Sequence, residues 1–81
     1  MKVTVKLFAV AKQFADNDEV ELELNEFATV ESLRRALLLR LPGLEAMKDS
    51  LRFAVNAEYA DDSTAITKSD EVACIPPVSG G

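Results

Sequence analysis

Apolar and polar side chains alternate from the start of the chain. Val3, Val5, Leu7 and Ala9 are interleaved with Lys2, Thr4, Lys6 and Phe8, the period of two of a half-buried strand, and residues 2–10 are read as the first strand. Residues 11–18 carry a short helical turn and then the polar turn Asp16-Asn17-Asp18. Alternation resumes over 19–24, with Val20, Leu22 and Leu24 directed inward and Glu19, Glu21 and Glu23 outward. The two strands are expected to pair as an N-terminal hairpin.

The period changes after Thr29. Val30, Leu33, Leu37 and Leu41 fall on one face at helical spacing, flanked by Arg34 and Arg40. Thr29 is the predicted N-cap, Glu31 complements the positive end of the helix dipole, and Pro42-Gly43 stops the helix. Leu39 points away from the packed face. Leu44 to Ser50 is read as a second short helix or a loop, and Phe53-Ala54-Val55-Asn56 as the third strand. Residues 57–70 are turn-rich, and Glu71 to Ile75 is the last strand, ended by Pro76-Pro77, which cannot donate ladder hydrogen bonds.

This order places the two most apolar strands, the first and the last, side by side in the centre of a sheet. The expected fold class is α+β: a β-grasp, ubiquitin-like mixed sheet of four to five strands with one main helix across one face. The domain is expected to span residues 1–75, with 76–81 as an extended tail.

Composition narrows the chemistry. Eighty-one residues make one small domain, and 48% apolar residues supply a single core with little surface to spare for a self-contained cleft. The net charge, 9 − 14 = −5, with no basic cluster beyond Arg34-Arg35 and Arg40, argues against nucleic acid as a partner. No apolar run reaches membrane-spanning length and no signal-peptide pattern is present, so a cytoplasmic protein is expected. There is no histidine, which removes the usual general base and metal ligand, and a single cysteine, Cys74, excludes an internal disulfide. The acidic residues Asp16, Asp18, Glu19, Asp61, Asp62, Asp70 and Glu71 sit beside turns, where solvated loops explain them better than a metal site does. The chain is a poor catalyst by itself.

Its reactive element is expected at the C-terminus, Pro76-Pro77-Val78-Ser79-Gly80-Gly81. Glycine lacks a Cβ, so Gly80 and Gly81 put the α-carboxylate on a strip that fits passages other residues would block. Two prolines pre-extend the segment and lower the cost of ordering it on docking. Strand phase gives the docking face. If Val3, Val5 and Leu7 face the helix, Phe8 faces the other side. If Val72 and Cys74 point inward, Ala73 and Ile75 share that outer side, and Tyr59 joins them. Cys74 is expected in the core as a small hydrophobe.

Three segments carry a family resemblance: Val55-Asn56-Ala57-Glu58-Tyr59, Ser69-Asp70-Glu71-Val72-Ala73 and Ile75-Pro76-Pro77-Val78-Ser79-Gly80-Gly81. Together they resemble the small subunit of molybdopterin synthase, the MoaD family of β-grasp sulfur carriers. The chain departs from the family at Lys12-Gln13, where members often have Arg-Glu, at Ser69, often glycine, and at Cys74, often aromatic. The resemblance implies a cycle. A ubiquitin-activating-like enzyme would use ATP to adenylate the Gly81 carboxylate, and a sulfur donor would convert it to a thiocarboxylate. The tail would then enter the large subunit, in an assembly of two small and two large chains, and transfer sulfur to a cyclic pyranopterin. No permanently bound cofactor is implied. The implied partner contacts are Phe8, Tyr59, Ile75, Pro76, Pro77, Val78 and Ser79. A thiamine-pathway carrier is an alternative, although its tail usually lacks Pro-Pro-Val. Others are a protein modifier joined through Gly81, and a plain β-grasp interaction module.

Overall fold

The structure is a computed structural model that describes residues 1–77. Five strands form one mixed sheet in the order β2-β1-β5-β3-β4, where β1 is Lys2–Leu7, β2 Glu19–Glu23, β3 Arg52–Val55, β4 Glu58–Ala60 and β5 Val72–Ile75. β1 pairs antiparallel with β2 and parallel with β5, and β3 pairs antiparallel with both β5 and β4. The first and last strands are neighbours, as the pattern predicts.

Helix α2, Val30–Arg40, crosses one face. Thr29 caps it through a reciprocal box. Its hydroxyl accepts from the Ser32 backbone N–H, and the Ser32 hydroxyl accepts from the Thr29 N–H. Val30, Leu33, Leu37 and Leu41 are all buried, whereas Leu39 is 87% exposed. The four buried residues form one core with the inward side chains Val3, Val5, Leu7, Val20, Leu22, Phe53, Val72 and Cys74, and with Leu44 and Ile66. Burying aliphatic side chains at about 1.5–3 kcal/mol each is the main stabilising term of such a fold. Residues Pro42–Ser50 form a 3-10 segment kinked at Met47.

Four expectations need correction. The first strand stops at Leu7, not residue 10, because Ala9–Ala15 forms a helix, α1, between β1 and β2. Ala9 enters it at φ 52°, in the left-handed region, which turns the chain off the sheet. β1 and β2 therefore pair as expected but are joined through a helix and not a simple hairpin. Phe8 is the N-cap of α1 and not a strand residue. The turn-rich stretch also holds a strand, β4, reached through a two-residue loop in which both Asn56 and Ala57 have positive φ, 52° and 70°. That is the signature of a type I′ hairpin turn.

Candidate functional site

The open face of the sheet divides into two halves. On the β2–β1 side the outward residues are Glu19, Glu21 and Glu23 facing Lys6, Thr4 and Lys2 across the ladder. On the β5–β3–β4 side they are small or apolar except for Arg52. Register places Ala73 beside Ala54, and Ala54 beside Tyr59, in one continuous row that begins at Lys6 on β1. Ile75 and Arg52 are paired one step further along. Tyr59 is 64% exposed and Phe8 48%, both large for aromatic side chains. The outward placement of Ala73, Ile75 and Tyr59 agrees with the sequence reading. Phe8 follows Leu7, whose register partner is Cys74, so it lies past the end of β1 near the level at which β5 ends.

β5 runs directly into Pro76, which is buried, and Pro77, which is exposed. Thus the chain leaves the sheet beside Ile75, at the end of the apolar half. Val78, Ser79, Gly80 and Gly81 lie outside the described residues.

Two of the motif segments hold each other in place. The Asn56 amide donates to the Asp70 carboxylate at 3.0 Å, its carbonyl oxygen accepts from the Glu71 N–H at 3.0 Å, and its backbone N–H donates to the Glu71 carbonyl at 2.8 Å. Asp70 also accepts from the Thr67 N–H at 2.8 Å. The Thr67 N–H first, and then the Asn56 amide, hold the Asp70 carboxyl below the usual carboxylate range. This lock ties the β3–β4 turn to the entry of β5, and so fixes Tyr59 relative to the strand that carries the tail. Lys6 adds an exposed ion pair to Glu71 at 3.3 Å.

Cys74 faces the core with no exposed surface, as expected, and desolvation pushes its thiol up to about 11 even though the nearby Arg34 charge acts in the opposite direction. At neutral pH it is a protonated, inaccessible thiol and a poor nucleophile. The acidic turn residues serve their turns. Asp61 accepts from the Ser63 N–H, the Ser63 hydroxyl and the Thr64 hydroxyl. Among the described residues no cluster of three potential ligands could hold a metal, and no helix is long and apolar enough to cross a membrane. A groove between α2 and the 3-10 segment is lined by Arg34, Leu38, Leu39 and Lys48. Its three cations are each paired with a carboxylate, Arg34 with Asp62, Arg35 with Glu31 and Lys48 with Glu45, and of its carboxylates Asp49 alone is outside an ion pair, so it holds no unpaired cation to act on a ligand.

Sequence reasoning missed Arg52. It stands one residue before the expected start of the third strand, in phase with Ala54, and its guanidinium lies 4.7 Å from the centre of the Tyr59 ring. The phase is readable in the sequence, but the stacking partner is set by a turn that is not.

Comparison with known proteins agrees with this geometry. The ThiS family matches residues 5–81. The molybdopterin synthase sulfur carrier subunit of Arabidopsis thaliana is 33% identical over 81 residues, covering 100% of this chain and 84% of that one. The crystal structure of SAMP1 from Haloferax volcanii, small archaeal modifier protein 1, superposes with a TM-score of 0.87 at 31% identity over 100% of both chains. The small chain in a complex of subunits 1 and 2 of the molybdopterin-converting factor from Helicobacter pylori gives a TM-score of 0.68 at 27% identity, again over 100% of both chains.

Proposed function

Because the chain belongs to the ThiS family of ubiquitin-like β-grasp proteins, and is similar over its whole length to molybdopterin synthase sulfur carrier subunits, we propose that Gly81 is its point of sulfur attachment. A carboxylate has no good leaving group, so an adenylating enzyme of the ubiquitin-activating kind spends ATP to form an acyl adenylate on Gly81. A sulfur donor displaces the adenylate and leaves a thiocarboxylate. That group is ionised at neutral pH without help from a base, which suits a chain with no histidine. The large synthase subunit then receives the tail and supplies the cationic and acid–base groups for transfer to a cyclic pyranopterin, in the cytoplasm, within an assembly of two small and two large chains.

The observation that carries this reading is the place where the described chain leaves the sheet. β5 leads into Pro76-Pro77 at the edge of the apolar half of the open face, beside Ile75 and level with Phe8. A partner that covers Phe8, Ala73, Ile75 and Tyr59 therefore has the tail delivered at the margin of the contact. The buried Cys74 thiol supports attachment at the terminus instead of on the side chain.

The test is intact mass after incubation with ATP, the adenylating enzyme and a sulfur donor. The expected result is a gain equal to one oxygen replaced by sulfur, absent when Gly81 is deleted. No gain, under conditions that convert a known carrier, would overturn the proposal. The likeness to SAMP1 favours a second reading, in which the same adenylate is attacked by lysines of other proteins. Conjugates in cell extract that disappear on deletion of Gly81 would establish it.

A further inference from the structure

A partner docked through the open face, the reading on which this proposal rests, meets a surface that is not purely apolar. The molecule is acidic and places most of its cations against its own carboxylates. Lys6, Lys12, Arg34, Arg35 and Lys48 are each in an ion pair with a side-chain carboxylate. Of the remaining four, Lys2 faces Glu23 across the β1–β2 ladder, Arg40 lines a groove with Glu19 and Glu21, and Lys68 lies on the turn before β5. Arg52 differs from all of them. It stands on the apolar half of the open face, opposite Ile75 on the strand from which the tail leaves, and no carboxylate among the described residues neutralises it.

Its conformation is restrained. The guanidinium lies over the Tyr59 ring at 4.7 Å, and Tyr59 is diagonal to it across the β3–β4 pair, anchored by the Asn56–Asp70 lock. Such stacking holds a long side chain in one place while leaving its N–H donors free. A held arginine beside exposed aromatic and aliphatic side chains has the composition of an interface hot spot. Covering it with an apolar surface would strand a charge, at a cost that rules such a partner out.

We propose that Arg52 is a specificity residue of the docking surface: its stacked, unneutralised guanidinium selects a protein partner whose apolar contact patch carries a carboxylate opposite it. The carboxylate accepts from the N–H groups that Tyr59 leaves free. Apolar contact then supplies affinity, while the charge pair supplies register and rejects neutral or basic surfaces beside the tail.

The test is titration of the cognate large subunit with wild type, Arg52→Gln, Arg52→Glu and Ile75→Glu, each first shown to unfold in urea like wild type. Arg52→Glu is expected to weaken binding about tenfold or more at low salt, with Arg52→Gln intermediate and less salt-dependent than wild type. An acidic-to-basic change at the facing position of the large subunit is expected to restore binding to Arg52→Glu. If both Arg52 variants bind like wild type with the same salt dependence while Ile75→Glu does not bind, the role of Arg52 is overturned and the docking face stands. If Ile75→Glu also binds like wild type, the face itself is wrong, and the inference falls with it.

Discussion

Two arginines lie over two aromatic rings on opposite sides of β3. Arg34, on α2, stands over Phe53 at 5.0 Å on the helix side, and Arg52 over Tyr59 at 4.7 Å on the open side. The pairs are alike in chemistry and differ in everything around them. Arg34 is fully used. It donates to the carbonyls of Lys48 and Leu51 at 2.7 and 2.8 Å and to Asp62 at 2.9 Å, and so holds α2, the 3-10 segment and the turn after β4 together. Phe53 beneath it is in the core. Arg52 has the ring and nothing else among the described residues. The same side-chain pair serves the fold where its donors are satisfied internally, and is available to a partner where they are not. Alternate residues of β5 repeat the division: Val72 and Cys74 are buried, whereas Ala73 and Ile75 are only half-buried.

Stability measurements sharpen this contrast. The largest loss is expected for Phe53→Ala, about 3–5 kcal/mol, because a large ring at the centre of a small core is replaced by a cavity. Urea titration reads it directly, and a loss below about 1 kcal/mol would mean the helix-side face is not the core. Next is Arg34→Met, which keeps the stem but removes three hydrogen bonds, of which the one to the Leu51 carbonyl is partly buried and those to the Lys48 carbonyl and Asp62 are exposed. A loss of about 1–2 kcal/mol is expected, against less than about 0.5 kcal/mol for Arg52→Met. Equal losses from the two arginines would erase the distinction between them.

The inner face is the more legible of the two in the sequence. Val3, Val5, Leu7, Val20, Leu22 and the α2 stripe announce themselves by period, because burial on one side forces it. Two elements are incompletely legible for identifiable reasons: α1, expected only as a short helical turn within 11–18, hides its start, and β4 hides altogether. α1 begins with an uncapped Phe8 and a left-handed Ala9, and the alternation that defines β1 runs on through residue 9, so no local signal marks the break. β4 has three residues, too few to display a period, and its turn is Asn56-Ala57 where Asn-Gly would have signalled a hairpin. The candidate site inherits both gaps. Phase places Ile75 and Ala73, and Tyr59 only through its nearness to the third strand, but phase also extends β1 through Phe8, which in fact caps a helix. Arg52 carries no local signal, since its significance depends on Tyr59 across a turn and Ile75 across the sheet.

Cys74 tests the inner face by chemistry. Its thiol is held at about 11 by burial, above the 9.0 of an exposed thiol. A raised pKa favours the folded state fully below the unfolded value, and that contribution is lost as pH rises through the folded one. Stability is therefore expected to decline between about pH 9 and 11, and Cys74→Ser is expected to remove that part of the decline. The substitution itself buries a hydroxyl and is expected to cost about 1–2 kcal/mol in urea titration, with sulfur loading at Gly81 unchanged. Loss of loading in a folded variant would instead place Cys74 in the transfer route. A thiol that reacts with iodoacetamide as fast in the native protein as in urea would show that it is not buried.

A small effect of the opposite sign is expected at the turn that sets Tyr59. Asn tolerates the left-handed region that residue 56 occupies, but Ala57, at φ 70°, carries a Cβ there. Glycine removes that strain at the cost of a more flexible unfolded chain, and the first term is the larger where φ is positive. Ala57→Gly is expected to stabilise the protein by about 0.5–1 kcal/mol, read as a higher urea midpoint at unchanged slope. It leaves Phe53, Arg34 and the helix-side face alone, so the gain belongs to the β3–β4 hairpin. The same variant is expected to bind the large subunit at least as tightly as wild type, because a better-formed turn holds Tyr59, and Arg52 upon it, in the geometry required for docking. A gain in stability accompanied by a clear loss of affinity would mean that strain at residue 57 is part of how the open face is presented, and that the two faces of β3 are less separable than the two arginines suggest.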